Sequence, residues 1–248
     1  MDKELLLLPP YLQTLDYASF PQIRELAHRA ITKTPEAIQY DSIWSPWRGI
    51  FDYVCCVEHA REMLKSLPTG HAIGSVDVVP ARYHSASLVF FAQATLDNLA
   101  VWTSGRLKFD VKGSDCAFHK SSFAQALSAR VPAVAGSIKA HEPLVAKIEV
   151  YRQEWIHRLT GGAQIYADKF PSEPDAKIQI MVPINPSIAQ PWQNTKAYVK
   201  AVARTRTNNG GKWLYPVVEF ADELTDGLKA LLLAFLDAAL AEPLFAVA

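Results

Sequence analysis

Residues 79–107 read VPARYHSASLVFFAQATLDNLAVWTSGRL. A stretch of that length makes about eight turns of α-helix. Pro80 suits the first turn, where a missing N–H costs nothing, and Gly105 suits the end. The middle is apolar nearly all round, at Leu88, Val89, Phe90, Phe91, Ala92, Ala94 and Leu96. A helix of that kind lies at the centre of a bundle rather than on its surface.

Working outward, residues 44–70, WSPWRGIFDYVCCVEHAREMLKSLPTG, predict a second long helix. Ser45 fits an N-cap and Pro46 the first helical position. Apolar residues recur at Trp47, Ile50, Phe51, Val54 and Val57, and Pro68 and Gly70 close the segment. Trp44 and Trp47 flank the start as a staple-like pair. A modest helix is expected in residues 21–35, with Ile23, Leu26, Ala27 and Ala30 on one face. Residues 106–117 read as a polar loop, and residues 119–132 as a short helix broken around Pro132. A further helix runs from Pro143 to Leu159, with its apolar stripe at Leu144, Ile148, Tyr151, Trp155 and Leu159. Gly161 and Gly162 stop it.

Residues 165–186 differ in character. The alternation Lys177-Ile178-Gln179-Ile180-Met181-Val182 predicts a small β-hairpin. Residues 194–208 suggest a helix, Asn209-Gly210-Gly211 a turn, and Pro216 opens a last helix running to about Leu240. The expectation is an all-α, up-and-down helical bundle with a small β-hairpin insertion. It is read as a single domain: a 1–44 N-terminal extension, a 45–162 helical core, a 163–192 β-excursion and 193–248 C-terminal helices.

The chain has 248 residues, with 25 basic and 25 acidic side chains. Such a balance creates no global basic field. The run of leucines before Pro9 and Pro10 is too short for a signal sequence, and the apolar C-terminal stretch is interrupted by Asp237 and Glu242. No membrane span is expected, and the location read from this is cytoplasmic. Cys55, Cys56 and Cys116 have no CxxC spacing and read as buried, reduced thiols. No phosphate loop, HExxH or GxSxG motif is present, so no metal site or cofactor is expected. The stretch 204–212 is a short basic loop, and Lys108, Lys112, His119 and Lys120 lie close together in sequence.

Residues 151–162 read YRQEWIHRLTGG, and within them Arg152 and His157 form an Arg-x4-His motif near a helix end. With the long apolar helices before it, the motif resembles that of HEPN domains, an all-α superfamily. The resemblance covers about residues 45–162. It implies a metal-independent endoribonuclease or RNA-binding protein acting as a homodimer, with a role in defence or stress response and an antitoxin partner that the sequence does not identify. His157 would be the general acid or base, because histidine titrates near neutral pH. Arg152 would hold the scissile phosphate and stabilise the transition state. Gln153 and Arg158 would orient the substrate. Members that cleave RNA more often carry Asn, Asp or His at the position of Gln153. On an α-helix, residues five apart differ by about 140°, whereas Gln153 and His157 share a face. The alternative is a non-catalytic helical interaction or nucleotide-binding module. There Arg152 pairs with a carboxylate such as Asp97, and His157-Arg158 complement the helix dipole.

Overall fold

The structure is a computed structural model, and it describes residues 37–111, 113–153, 155, 163–167, 173–184 and 213–243. The expected helices at 21–35 and 194–208, the Asn209 turn and the basic loop at 204–212 lie outside these residues. Six α-helices are described: α1 (Ala37–Lys65), α2 (Val78–Leu107), α3 (Ser121–Arg130), α4 (Pro132–Ala140), α5 (Glu142–Arg152) and α6 (Val217–Ala241). Three strands accompany them: β1 (Gln164–Ala167), β2 (Ile178–Ile184) and β3 (Trp213–Pro216). The protein is therefore predominantly helical, with a small antiparallel sheet in the order β1-β2-β3.

Several boundaries differ from expectation. α1 starts at Ala37 rather than at Ser45, so Ser45-Pro46 is an interior pair and not a cap. Apolar positions at Tyr40, Ile43, Trp47, Ile50, Val54 and Val57 are spaced by three or four residues throughout. This continuous phase outweighs the single hydrogen bond that proline removes. The side chains of Trp44 and Trp47 fall outside the described ones. The hairpin gains a third strand, because the Trp213–Pro216 segment pairs with β2 in the register Met181↔Pro216 to Ile184↔Trp213. Among the described residues β1 pairs only as far as Met181, and Pro183 is flanked by β3 alone. A proline is tolerated there because it interrupts no continuous two-sided ladder. Pro132 does break the short helix, and it opens α4 at the first helical position.

The chain divides into two compact units. The first comprises residues 1–53, 94–142 and 229–248. Its described core is aromatic: Phe118 packs edge-on against Phe123 and Phe235, at 5.5 and 6.4 Å between ring centroids. Trp102 also meets Phe235, at 6.2 Å. α2 ends in this unit with Lys108 in the left-handed region, at φ 53°. The Lys108 N–H bonds to the Gly105 carbonyl (3.3 Å) and the Phe109 N–H to the Ser104 carbonyl (3.0 Å), which is a Schellman cap built on a lysine. Lys108→Gly relieves the crowding of Cβ at positive φ, and we expect a gain of about 1 kcal/mol in denaturant unfolding. A loss would show that the lysine side chain stabilises the cap.

The second unit comprises residues 54–93 and 143–228. Here α1 and α6 are joined by ion pairs, Arg61 with Asp226 (3.2 Å) and Lys65 with Asp222 (2.8 Å), and Arg61 also pairs with Glu58 of its own helix (2.6 Å). Leu88, Val89, Ala92, Ile148, Phe220 and Leu224 are fully buried. Thr225 is buried as well, and its hydroxyl has no hydrogen-bond partner among the described residues. Thr225→Val replaces that hydroxyl by a methyl of similar volume, so unfolding should cost about 1 kcal/mol more. An unchanged or lower midpoint would mean that the hydroxyl is hydrated or bonded.

α2 departs from the expected all-round burial. Val79, Tyr83, Phe90 and Val101 are exposed, at 69, 69, 50 and 59%. An apolar middle therefore does not imply that every face is covered. None of the cysteines is in a disulfide, but only Cys116 is buried; Cys55 is exposed and Cys56 half-buried. Cys55 lies between Val54 and Val57, which turn the other face of α1 to the core.

Candidate functional site

The sequence motif lies at the end of α5. The apolar stripe forms as its spacing predicts: Ile148, Tyr151 and Trp155 are buried, at 0, 2 and 6% exposure. They meet α6 through Phe220, whose ring centroid is 4.8 Å from that of Tyr151 and 5.3 Å from that of Trp155. Tyr151 and Trp155 also pack on each other, with centroids 4.7 Å apart and ring planes tilted by 57°. This aromatic cluster sets the rotation of α5.

α5 does not run on to Leu159 as one α-helix. The α-helical segment ends at Arg152, and Gln153 and Trp155 belong to a wider, π-type turn. Such single turns interrupt helices where an extra residue is accommodated. Gly161 and Gly162, the expected stop, lie outside the described residues, as do His157 and Arg158.

With the core side of α5 fixed, Arg152 and Gln153 emerge on the other side. Arg152 is about one-third exposed, at 32% of its side chain. Its Nη1 donates to Glu149 Oε2 at 3.1 Å, an i, i+3 pair on the same helix. Gln153 is exposed, and its Nε2 donates to Glu149 Oε1 at 2.8 Å. One carboxylate thus receives both Arg152 and Gln153, the two described members of the four predicted site residues. Among the described residues Arg152 pairs with a carboxylate of its own helix. Glu149 is one turn away, and i, i+3 and i, i+4 neighbours are the nearest on a helix. The ion pair uses one of the five N–H groups on the guanidinium.

A second polar group in this region was missed by the sequence reading. Lys147 is buried, at 2% exposure, and its Nζ bonds to Glu223 Oε1 of α6. The other carboxylate oxygen, Oε2, accepts from the Tyr215 hydroxyl at 2.8 Å. The ammonium also lies 5.9 Å from the centroid of the Tyr215 ring and 6.0 Å from that of Phe220. Burial lowers the Lys147 pKa from its usual value, and the Glu223 charge and hydrogen bond partly offset that effect. The signal was present in the spacing. Lys147 stands three residues after Leu144 and four before Tyr151, on the apolar face itself.

Comparison with protein-family models, curated proteins and solved structures gave no match to this chain.

Proposed function

We propose that this is a HEPN-like helical protein that binds RNA and cleaves it without a metal ion, with His157 as general acid or base and Arg152 as the phosphate contact. The observation that carries this reading is the π-type turn at Gln153 and Trp155, directly after Arg152. In α-helical geometry residues five apart diverge by about 140°. Turns of the π type recur at functional sites. The partial exposure of Arg152 supports a contact to an anion.

In this reading His157 removes the proton from a ribose 2′-hydroxyl. The 2′-oxygen attacks the adjacent phosphorus, and the 5′-oxygen leaves with a proton. The products are a 2′,3′-cyclic phosphate and a 5′-hydroxyl. Arg152 stabilises the extra charge on the phosphoryl oxygens. Two copies of the chain supply acid and base together, and Gln153 and Arg158 orient the strand. A cytoplasmic homodimer is part of the same proposal. No described helix is long and apolar enough to cross a membrane.

The test is cleavage of a single-stranded RNA in EDTA. The wild-type chain should cleave it, and His157→Ala and Arg152→Ala should each slow cleavage by about 10²–10⁴-fold. One observation favours the second reading, a non-catalytic interaction module: Glu149 already pairs with Arg152 and Gln153. If that is the whole role of Arg152, its removal changes thermal stability by no more than about 0.5 kcal/mol and leaves RNA handling unaltered.

A further inference from the structure

The sequence contains seven histidines, and none is followed four residues on by a second histidine or a carboxylate. The fold creates one pairing. His59 of α1 and His84 of α2, 25 positions apart in the chain, face each other within the second unit. Their ring centroids are 6.5 Å apart and the rings stand nearly perpendicular, at 82°. Tyr83 packs edge-on to His84, at 5.1 Å and 81°. His59 is exposed and His84 half-buried.

We propose that His59 and His84 together chelate a divalent transition-metal ion of the zinc type across α1 and α2. Neutral imidazole is a good ligand for zinc, copper and nickel. A tetrahedral ion bound to two ring nitrogens at about 2.0–2.1 Å holds their centroids roughly 5 Å apart. The observed separation is wider than that, so chelation requires the exposed His59 ring to move toward His84. Contact with Tyr83 restricts the His84 ring, so little ordering is left to the ion. Among the described residues no group of three His, Cys, Asp or Glu side chains converges on one point. Such an ion would clamp α1 to α2, and its binding is independent of the RNA reading.

The experiment is calorimetric titration of the reduced, full-length chain with zinc chloride, alongside thermal unfolding at increasing zinc. One equivalent should bind and the melting temperature should rise with zinc concentration, as mass action on the folded state requires. His59→Ala and His84→Ala should each weaken binding by about tenfold or more and abolish the thermal shift. His119→Ala, at another exposed histidine, serves as the control and should leave both unchanged. Because His59 is exposed, its variant folds, and His84→Gln stands in should His84→Ala be unstable. Zinc binding of wild-type strength in His59→Ala overturns the proposal, and so does a wild-type chain that binds no zinc.

Discussion

Phe220→Ala lowers the unfolding free energy by about 3–5 kcal/mol. Phe220 is fully buried and meets Tyr151, Trp155 and Tyr215, at 4.8, 5.3 and 6.4 Å between ring centroids. Truncation removes the transfer energy of the ring and leaves a cavity lined by aromatic planes, which collapse poorly. Each lost edge-to-face contact adds about 0.5–1.5 kcal/mol. The effect reaches the candidate site, because Phe220 anchors the two residues that flank Arg152 and Gln153. A shift in the urea midpoint, with the slope unchanged, measures it. A loss below about 2 kcal/mol would show that α5 is held by something other than this cluster.

At Lys147 the size of the loss depends on what replaces the side chain. Lys147→Ala leaves a hole in a closed interior and should cost about 3 kcal/mol. Lys147→Met fills the same volume and removes a buried charge. Glu223 keeps its bond to Tyr215 and is 45% exposed, so it stays hydrated. The methionine variant should therefore lie within about 1 kcal/mol of wild type at neutral pH. The pH dependence separates charge from volume. Burial lowers the lysine pKa in the folded chain below the usual 10.5. Between the lowered folded value and that value the unfolded chain binds more protons, so stability rises with pH in this window. Subtracting the Lys147→Met curve cancels the tyrosines and the other lysines, and the rise should remain in the difference. A flat difference would mean that the folded state does not penalise the ammonium.

Much of the helical layout was legible because it rests on local, short-range chemistry. Pro80, Pro132 and Pro216 lie at or beside helix starts, where a missing N–H is harmless. The alternation through Ile178, Ile180 and Val182 marks β2, whose inward residues are buried. Other features depend on long-range partners that no local pattern encodes. β3 is four residues long, and it forms because β2 offers an unpaired edge. The exposed Tyr83 and Phe90 look like core in sequence, and only the placement of neighbouring elements leaves them uncovered. At Ser45-Pro46 a two-residue start signal was set against a longer apolar phase, and the phase prevailed.

The candidate site was legible to the same extent. The stripe through Ile148, Tyr151 and Trp155 correctly faces inward and leaves Arg152 at the surface. What the spacing did not show is that Glu149 collects both Arg152 and Gln153, or that the helix widens directly after Arg152. Lys147 was passed over because a lysine is expected in solvent, although its position in the stripe places it inside. The His59–His84 contact joins residues of two helices and has no sequence signature at all.

The most direct measurement of the proposed function is the cleavage of a labelled single-stranded RNA in excess EDTA by the wild-type chain, His157→Ala and Arg152→Ala, with the product ends determined. The account predicts cleavage by wild type to 2′,3′-cyclic phosphate ends, and loss in both variants at unchanged thermal stability. Cleavage that persists in both variants, or a wild-type chain that neither binds nor cleaves RNA, would contradict it.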